Sequence, residues 1–194
     1  MPKEKVRCGW CQSDEQYVRY HDEEWGVPVR DDAVLFEFLI LEGAQAGLSW
    51  LTILRRRENY RKAFAGFSAE KVARFTDKDK ARLLADAGII RNRLKIDGAI
   101  ANARLFLETA AKHGSFSKFI WGFIDNEPIV NAWERLEQIP ATTSESDRIS
   151  KALKKIGFKF VGSTIVYAHM QATGMVNDHL VGCFRHKQVM RHGK

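Results

Sequence analysis

The 194-residue chain is 45% hydrophobic and 11% aromatic, which supplies a sizeable core and excludes a disordered polypeptide. No stretch reaches the roughly 20 uninterrupted apolar residues of a membrane span, and the charged start Met-Pro-Lys-Glu-Lys-Val-Arg has no apolar run behind it to act as a secretory signal. Lys and Arg exceed Asp and Glu by 31 to 24, a formal charge of +7 that suits a polyanionic partner, because each phosphate contact releases counterions.

The pattern is helical almost throughout. Asp31-Asp32 caps a segment in which Val34, Leu35, Phe38, Leu39 and Leu41 recur at helical spacing, and Gly43 to Gly47 interrupts it. Ser49 opens a second helix carrying Leu51, Ile53, Leu54, Tyr60 and Phe64. Ser68 caps a short helix to Phe75, and Asp77 caps another that ends near Gly88. Arg91 to His113 is long, with Ile96, Ile100, Ala103, Leu107 and Ala110 on one face and Gly114 as its stop. Phe116 to Ile124 is a short apolar segment, and residues 125–143, with Pro128 and Pro140, read as irregular. Ser144 with Asp147 has the form of a capping box for a helix to Lys155. Gly162 to Thr173 is the last helix expected, and the tail from Arg185 to Lys194 reads as disordered. No run alternates long enough to demand a sheet. The expected fold class is all-α, in one domain over residues 1–194.

Three cysteines, Cys8, Cys11 and Cys183, are an odd number and do not build a disulfide framework. Cys8-x12-His21 near the start and His179-x3-Cys183 near the end offer two thiolates and two imidazoles, the ligand set that tetrahedral zinc prefers. Four protein ligands leave no open position for water, so such a zinc would be structural rather than hydrolytic. Spacing alone leaves alternatives. A lone cysteine is commonly a small buried hydrophobe, and Cys8-x2-Cys11 would let Cys11 replace a histidine in the set.

Trp10, Tyr17, Tyr20, Trp25 and Trp50 crowd the first quarter of the chain. Aromatic faces are how proteins hold an extruded base, although most aromatics simply pack a core. Glu42 ends the apolar face Phe38-Leu39-Ile40-Leu41, where its carboxylate is partly buried and a cationic ligand would offset the cost; the plainer reading is a helix-end Glu in water. Further on, Leu83 to Ile96 reads as helix, Gly88 turn, helix, with Arg91, Arg93 and Lys95 at the new N-terminus ready for phosphate. A helix-hairpin-helix turn usually has a second glycine, where this chain has Ile90. The run Arg55-Arg56-Arg57 and the group Lys151, Lys154, Lys155, Lys159 read as solvated helix faces.

Several strings are more specific. They are Arg7-Cys8-Gly9-Trp10, Tyr20-His21-Asp22-x-Glu24-Trp25-Gly26-Val27-Pro28 and Leu41-Glu42-Gly43-x-Gln45-Ala46-Gly47-Leu48-Ser49-Trp50. Asp86 to Arg91, Lys154-Lys155-x-Gly157-Phe158-Lys159-Phe160-Val161-Gly162 and Val176-Asn177-Asp178-His179 follow in order. With these the chain resembles the bacterial 3-methyladenine DNA glycosylase I family over nearly its whole length. The resemblance implies an α-helical fold of the helix-hairpin-helix glycosylase superfamily. Its zinc lobe would come from about residues 1–30 and 174–186, around a helical core of about 31–173. It carries the zinc ligands to Cys8, His21, His179 and Cys183, with Cys11 a bystander.

By the same resemblance Glu42 hydrogen-bonds the excised base, Tyr20 and Trp50 stack on it, and Trp10 and Trp25 line the pocket. Gly47 and Leu48 would meet the damaged strand, Leu48 as a wedge. The implied activity flips 3-methyladenine out of double-stranded alkylated DNA and hydrolyses its N-glycosidic bond, releasing free 3-methyladenine. The family resembles its wider superfamily in fold but lacks the Asp that many members place after the hairpin. Asp97 and Glu108 fit a solvated helix face here, so the expectation is a monofunctional enzyme without a Schiff-base intermediate. A cytoplasmic monomer with no membrane partner completes the picture. The rival reading is a non-catalytic zinc module that recognises DNA or alkylated bases. Glu42 with the segment to Trp50 favours the enzyme, because a binding module needs no cation-selective pocket.

Overall fold

The computed structural model describes residues 5–190. Helices account for 63% of the molecule. Asp14 caps α1 (Glu15–Glu23), an element the periodicity did not show, by accepting from the amides of Gln16 and Tyr17. Asp31 caps α2 (Asp32–Gln45) in the same way. The next residue, Asp32, reaches across to accept from the amides of Phe116 and Ser117 at 2.9 and 2.7 Å. That carboxylate ties the start of α2 to the start of α8 (Phe116–Trp121).

α2 is buried on every side, from Leu35 through Glu42, and therefore serves as the central helix. It runs straight through Gly43 where the sequence suggested a break. Its last carbonyls explain why. Lys95 donates through Nζ to the Ala44 and Ala46 oxygens, both at 2.7 Å, and so caps the helix C-terminus with a cation. Lys95 is therefore not the phosphate ligand that the sequence suggested.

The helix expected from Ser49 is two helices, α3 (Trp50–Leu54) and α4 (Arg57–Ala63), broken at Arg55-Arg56. The first and last members of the arginine run are ion-paired rather than free in solvent. Arg57 lies between Glu24 and Glu37, and Arg55 pairs with Asp14 at 2.6 Å. α5 (Ala69–Val72) follows its Ser68 cap, whereas α6 (Asp77–Ala85) is capped by Thr76 in a box with Asp79 rather than by Asp77. Asn92 caps the long α7 (Arg93–His113), which Gly114 ends in the left-handed conformation. In α9 (Ser144–Ile156) the box is Thr143 with Ser146, one residue earlier than expected for the cap.

α10 (Ser163–Ala172) packs on α2 and α9. The irregular stretch contributes β1 (Ile129–Val130), which pairs in parallel with β2 (Val176–Asn177), a bridge too short to leave an alternating pattern. The tail is not disordered as far as it is described. α11 (Phe184–Val189) buries Arg185 and His186, and Asn177 holds the His186 carbonyl at 2.9 Å. Residues 191–194 of that expected disorder lie outside the described residues.

Two buried clusters result. The larger joins α2, α7, α8, α9 and α10 through residues such as Phe36, Phe106, Trp121 and Met170. The smaller gathers Tyr20, Trp25, Phe38, Leu54 and Ala172, with Trp10, Tyr17 and Trp50 against it. The chain ends meet at the smaller one. Gly26 and Val29 donate to the carbonyls of Gln171 and Thr173, both at 3.0 Å. Gly174 sits between these strips with φ +65°, and a Cβ there would lie 2.3 Å from the Val27 carbonyl carbon.

Backbone on one side and a left-handed φ on the other leave no room to relax. Gly174→Ala should lower stability by about 3 kcal/mol or more. Thermal or denaturant unfolding checks this, and a variant as stable as the parent would contradict the packing described.

Candidate active site

α1 and the residues flanking it, α2, α3 and α10 surround a cavity of about 210 Å³. Trp10, Tyr20, Trp25, Glu42 and Trp50 all line it, so the five residues singled out for a pocket share one cavity. Tyr17 joins them, as do Gln45, Ile139, Ala168, Gln171 and Ala172, which sequence reading did not assign. The α10 contribution has a sequence signature in retrospect. Ala168, Gln171 and Ala172 fall at helical spacing on one face, and small residues there leave space beside them.

The aromatic rings are mutually packed. Trp10 meets Trp25 edge-on at 5.0 Å and Tyr17 at 4.8 Å, while Tyr20 lies 5.6 Å from Trp50. These contacts are in the usual range for ring pairs and hold the walls without filling the space. The Trp50 indole nitrogen is buried with no hydrogen-bond partner.

Glu42 is 3% exposed, and its Oε2 likewise has no hydrogen-bond partner. Burial pushes its pKa from the ordinary 4.5 up to about 8. The solvated alternative for this residue is thereby corrected. Burial, and then the nearby Glu42, also raise Tyr20 well above the ordinary tyrosine range. His169, on α10, is buried with neither ring nitrogen bonded, and desolvation lowers it to about 4. It does not line the cavity, and packs as a neutral ring.

Beside the cavity, Cys8, His21, His179 and Cys183 place their ligand atoms within 4.8 Å of one another, all buried. Both histidines are oriented from behind. His21 pairs through Nδ1 with Asp22 at 2.8 Å, and Arg7 holds that carboxylate in turn. His179 pairs through Nε2 with the Trp25 carbonyl at 2.9 Å. The opposite nitrogens, His21 Nε2 and His179 Nδ1, face the sulfurs, as the ligands of a metal centre are typically held. Cys11 points elsewhere, its thiol donating to the Cys8 carbonyl at 3.1 Å. The cluster can hold a metal ion. It also touches the cavity wall, because the Trp25 and His179 rings are 4.6 Å apart.

The remaining candidates lie apart from the cavity lining. Gly47 has φ +78°, and Leu48 beside it is 40% exposed. Gly88 has the side chains of Asn59 and Asp86 each 3.0 Å from where a Cβ would stand, so a larger residue there would have to displace them, whereas the second glycine of the turn is Ile90. Arg91 and Arg93 are exposed at the start of α7. Asp97 is half-buried and pairs with Lys80 at 3.3 Å, and Glu108 is exposed. No helix among the described residues is long and apolar enough to cross a membrane.

A family model described as methyladenine glycosylase matches residues 10–186. The chain belongs to the methyladenine glycosylase family. It is 54% identical to DNA-3-methyladenine glycosylase 1 of Escherichia coli (strain K12), over 91% of this chain and 95% of that protein. A crystal structure of 3-methyladenine DNA glycosylase I is similar with a TM-score of 0.90 and 50% identity, covering 92% of this chain and 98% of the other. A variant of 3-methyladenine DNA glycosylase I solved in complex with 3-methyladenine has a TM-score of 0.89 and 36% identity, covering 92% and 96%.

The raised Glu42 has a consequence for stability within this family fold. The folded state keeps a proton that the unfolded chain releases near pH 4.5, so this residue costs stability progressively as pH rises toward about 8 and no further above it. Glu42→Gln removes that term. The variant should gain on the parent between pH 5 and pH 8.5, by on the order of a few kcal/mol. Melting curves across that range check it, and a pH-independent difference would contradict it.

Proposed function

We propose that the protein is a monofunctional DNA glycosylase that extrudes 3-methyladenine from alkylated double-stranded DNA and hydrolyses its N-glycosidic bond. The observation that carries this is the buried Glu42 carboxyl, its Oε2 without a partner, at the wall of a cavity lined by five aromatic side chains, Trp10, Tyr17, Tyr20, Trp25 and Trp50. A cavity of about 210 Å³ is below the roughly 300–1,000 Å³ of sites for drug-sized ligands and suits a single base. The relatives named above, one of them holding 3-methyladenine, support the same substrate.

Adenine methylated at N3 within DNA is already cationic. Electron-rich rings and a carboxylate attract such a base, and the dry surroundings strengthen that attraction. A bound cation also favours ionised Glu42, supplying the partner it lacks. Tyr20 and Trp50 stack on the base, Trp10 and Trp25 complete the walls, and Glu42 accepts its hydrogen bond. The bond from C1′ of the sugar to the base then breaks with its electron pair going to the base, which leaves neutral and needs no proton donor. Water adds to the sugar carbon and gives up a proton to solvent. Asp97, paired with Lys80, and exposed Glu108 are not placed to take part.

Arg91 and Arg93, with the Gly88 turn of a helix-hairpin-helix element, hold backbone phosphates, while Gly47 lets the backbone approach and Leu48 fills the vacated stack. The whole chain acts as one glycosylase domain and a monomer. In the clasp of Cys8, His21, His179 and Cys183 the fitting ion is zinc. Zn–S and Zn–N bonds of about 2.3 and 2.0 Å in a tetrahedron set sulfur–nitrogen separations of about 3.6 Å. The separations here are 3.5, 3.7 and 3.8 Å. Zinc bound there would serve as a structural tie between the chain ends; no step of the base chemistry passes through it.

Incubation with methylated DNA should release free 3-methyladenine, and borohydride should trap no covalent adduct. Glu42→Gln should lower both release and binding of the free base at least about tenfold, the loss expected for a charge-assisted hydrogen bond. Release of no base by the parent protein would favour the binding-module alternative, and a trapped adduct would refute monofunctional hydrolysis. For the clasp, purified protein should carry about one zinc per chain. Cys183→Ser should lower both zinc content and melting temperature. A native metal ratio near zero would overturn the zinc assignment.

A further inference from the structure

α10 turns Ala168, Gln171 and Ala172 toward the cavity, and of these Gln171 alone carries a hydrogen-bonding side chain. Its Nε2 donates to Asp178 Oδ2 at 2.8 Å. Asp178 is fully buried and takes three more bonds. Tyr167 donates to Oδ2 at 2.6 Å, while Asn131 and the Trp133 indole donate to Oδ1 at 2.7 and 2.8 Å. An indole N–H can only donate and a carboxylate can only accept, and four donors use the lone pairs of its two oxygens. The direction of every bond in this network is thereby fixed. Gln171 has to turn its NH2 group to Asp178, and its carbonyl Oε1 is the group left to face a ligand.

We propose that Gln171 Oε1 reads the exocyclic amine of the extruded purine, and that Asp178 is the positioning residue that keeps this oxygen, rather than the amide NH2, toward the base. The inference rests on the glycosylase reading above. Adenine carries an N–H donor where guanine carries a carbonyl acceptor. An acceptor in the wall pairs with the first and opposes the second, lone pair against lone pair. Sites built around a hydrogen bond discriminate strongly because the wrong ligand leaves buried polar groups unpaired. Glu42 answers the positive charge that N3-methylated adenine and guanine nucleotides both carry and takes one N–H of the adenine amine, which leaves the second N–H for Gln171. Gln171 and Asp178 thus add to the specificity between purines, while the charge of Glu42 supplies preference for the alkylated form.

The test uses DNA treated with a methylating agent, which holds both 3-methyladenine and 3-methylguanine, and measures both released bases by chromatography. Gln171→Met keeps the side-chain length and removes the amide. It should reduce the ratio of released 3-methyladenine to 3-methylguanine about tenfold, with guanine release unchanged or higher. Asp178→Asn should shift the ratio the same way with Gln171 intact, because an amide at position 178 can donate and lets the Gln171 amide turn over. Melting curves and metal content establish that each variant folds; if Asp178→Asn does not, Gln171→Met and Gln171→Ala decide the proposal between them. A ratio unchanged from the parent, or parallel loss of both bases, would overturn it. Failure of the parent protein to release either base would count against the glycosylase reading instead.

Discussion

The desolvated carboxyl of Glu42 is the constraint around which the rest is arranged. An acidic group out of water with an oxygen left unbonded is costly, and a chain tolerates it where its surroundings leave no alternative position. α2 provides that rigidity. It is buried on all sides, so it cannot rotate Glu42 toward solvent without exposing Phe36, Phe38 or Leu41. Asp32 fixes its start to α8, and Lys95 fixes its end from α7. The dryness that raises the carboxyl also magnifies any attraction to a cation, so destabilisation of the empty pocket and affinity for a charged base have one origin.

The walls of the cavity depend on the two chain ends. Trp10 follows Cys8 by two residues, Tyr20 precedes His21, and Trp25 presents its carbonyl to His179. Backbone bonds from Gly26 and Val29 to the end of α10 add a second tie, and Gly174 makes the approach sterically possible. A metal in the proposed clasp would therefore act on the pocket through position alone, by fixing the rings that Glu42 faces. Asp178 extends the logic to the opposite wall. It adjoins His179 in sequence and holds Gln171 in space, so one short segment serves both the clasp and the cavity.

What was legible in the sequence was local. Caps such as Asp31, Ser49 and Ser68, the apolar stripe of α7 and the stop at Gly114 act within a few residues, and the structure places them as the pattern does. The pocket candidates and the four clasp residues were legible as motifs, through resemblance more than through spacing. The misses share a physical cause, which is a partner far away in the chain. Gly43 reads as a break until Lys95 arrives from 51 residues on to cap Ala44. Arg57 reads as solvated until Glu24 and Glu37 close on it. α11 lacks a periodic stripe, yet Asn177 and Asn131 bind His186 and order it. Gln171 carries no motif, and the role proposed for it depends on Asp178, seven residues on, orienting its amide.

The same long-range pairing revises how the net charge of +7 should be read. Counting charges treats every lysine and arginine as available to a polyanion, but several are internal fittings. Arg57 bridges two glutamates, Arg55 holds Asp14, Arg7 holds Asp22, and Lys95 binds carbonyls. Where a cation faces only neutral carbonyls, as Lys95 does, burial lowers its pKa, and its charge is spent on orienting a helix end. Arg91 and Arg93 differ, being exposed at the start of a 21-residue helix whose dipole adds to their charge. A basic surface for DNA is thus better located by which cations lack internal acceptors than by where basic residues cluster in sequence. By that criterion Arg55 and Arg57 are set aside, and the exposed arginines after Gly88 are favoured.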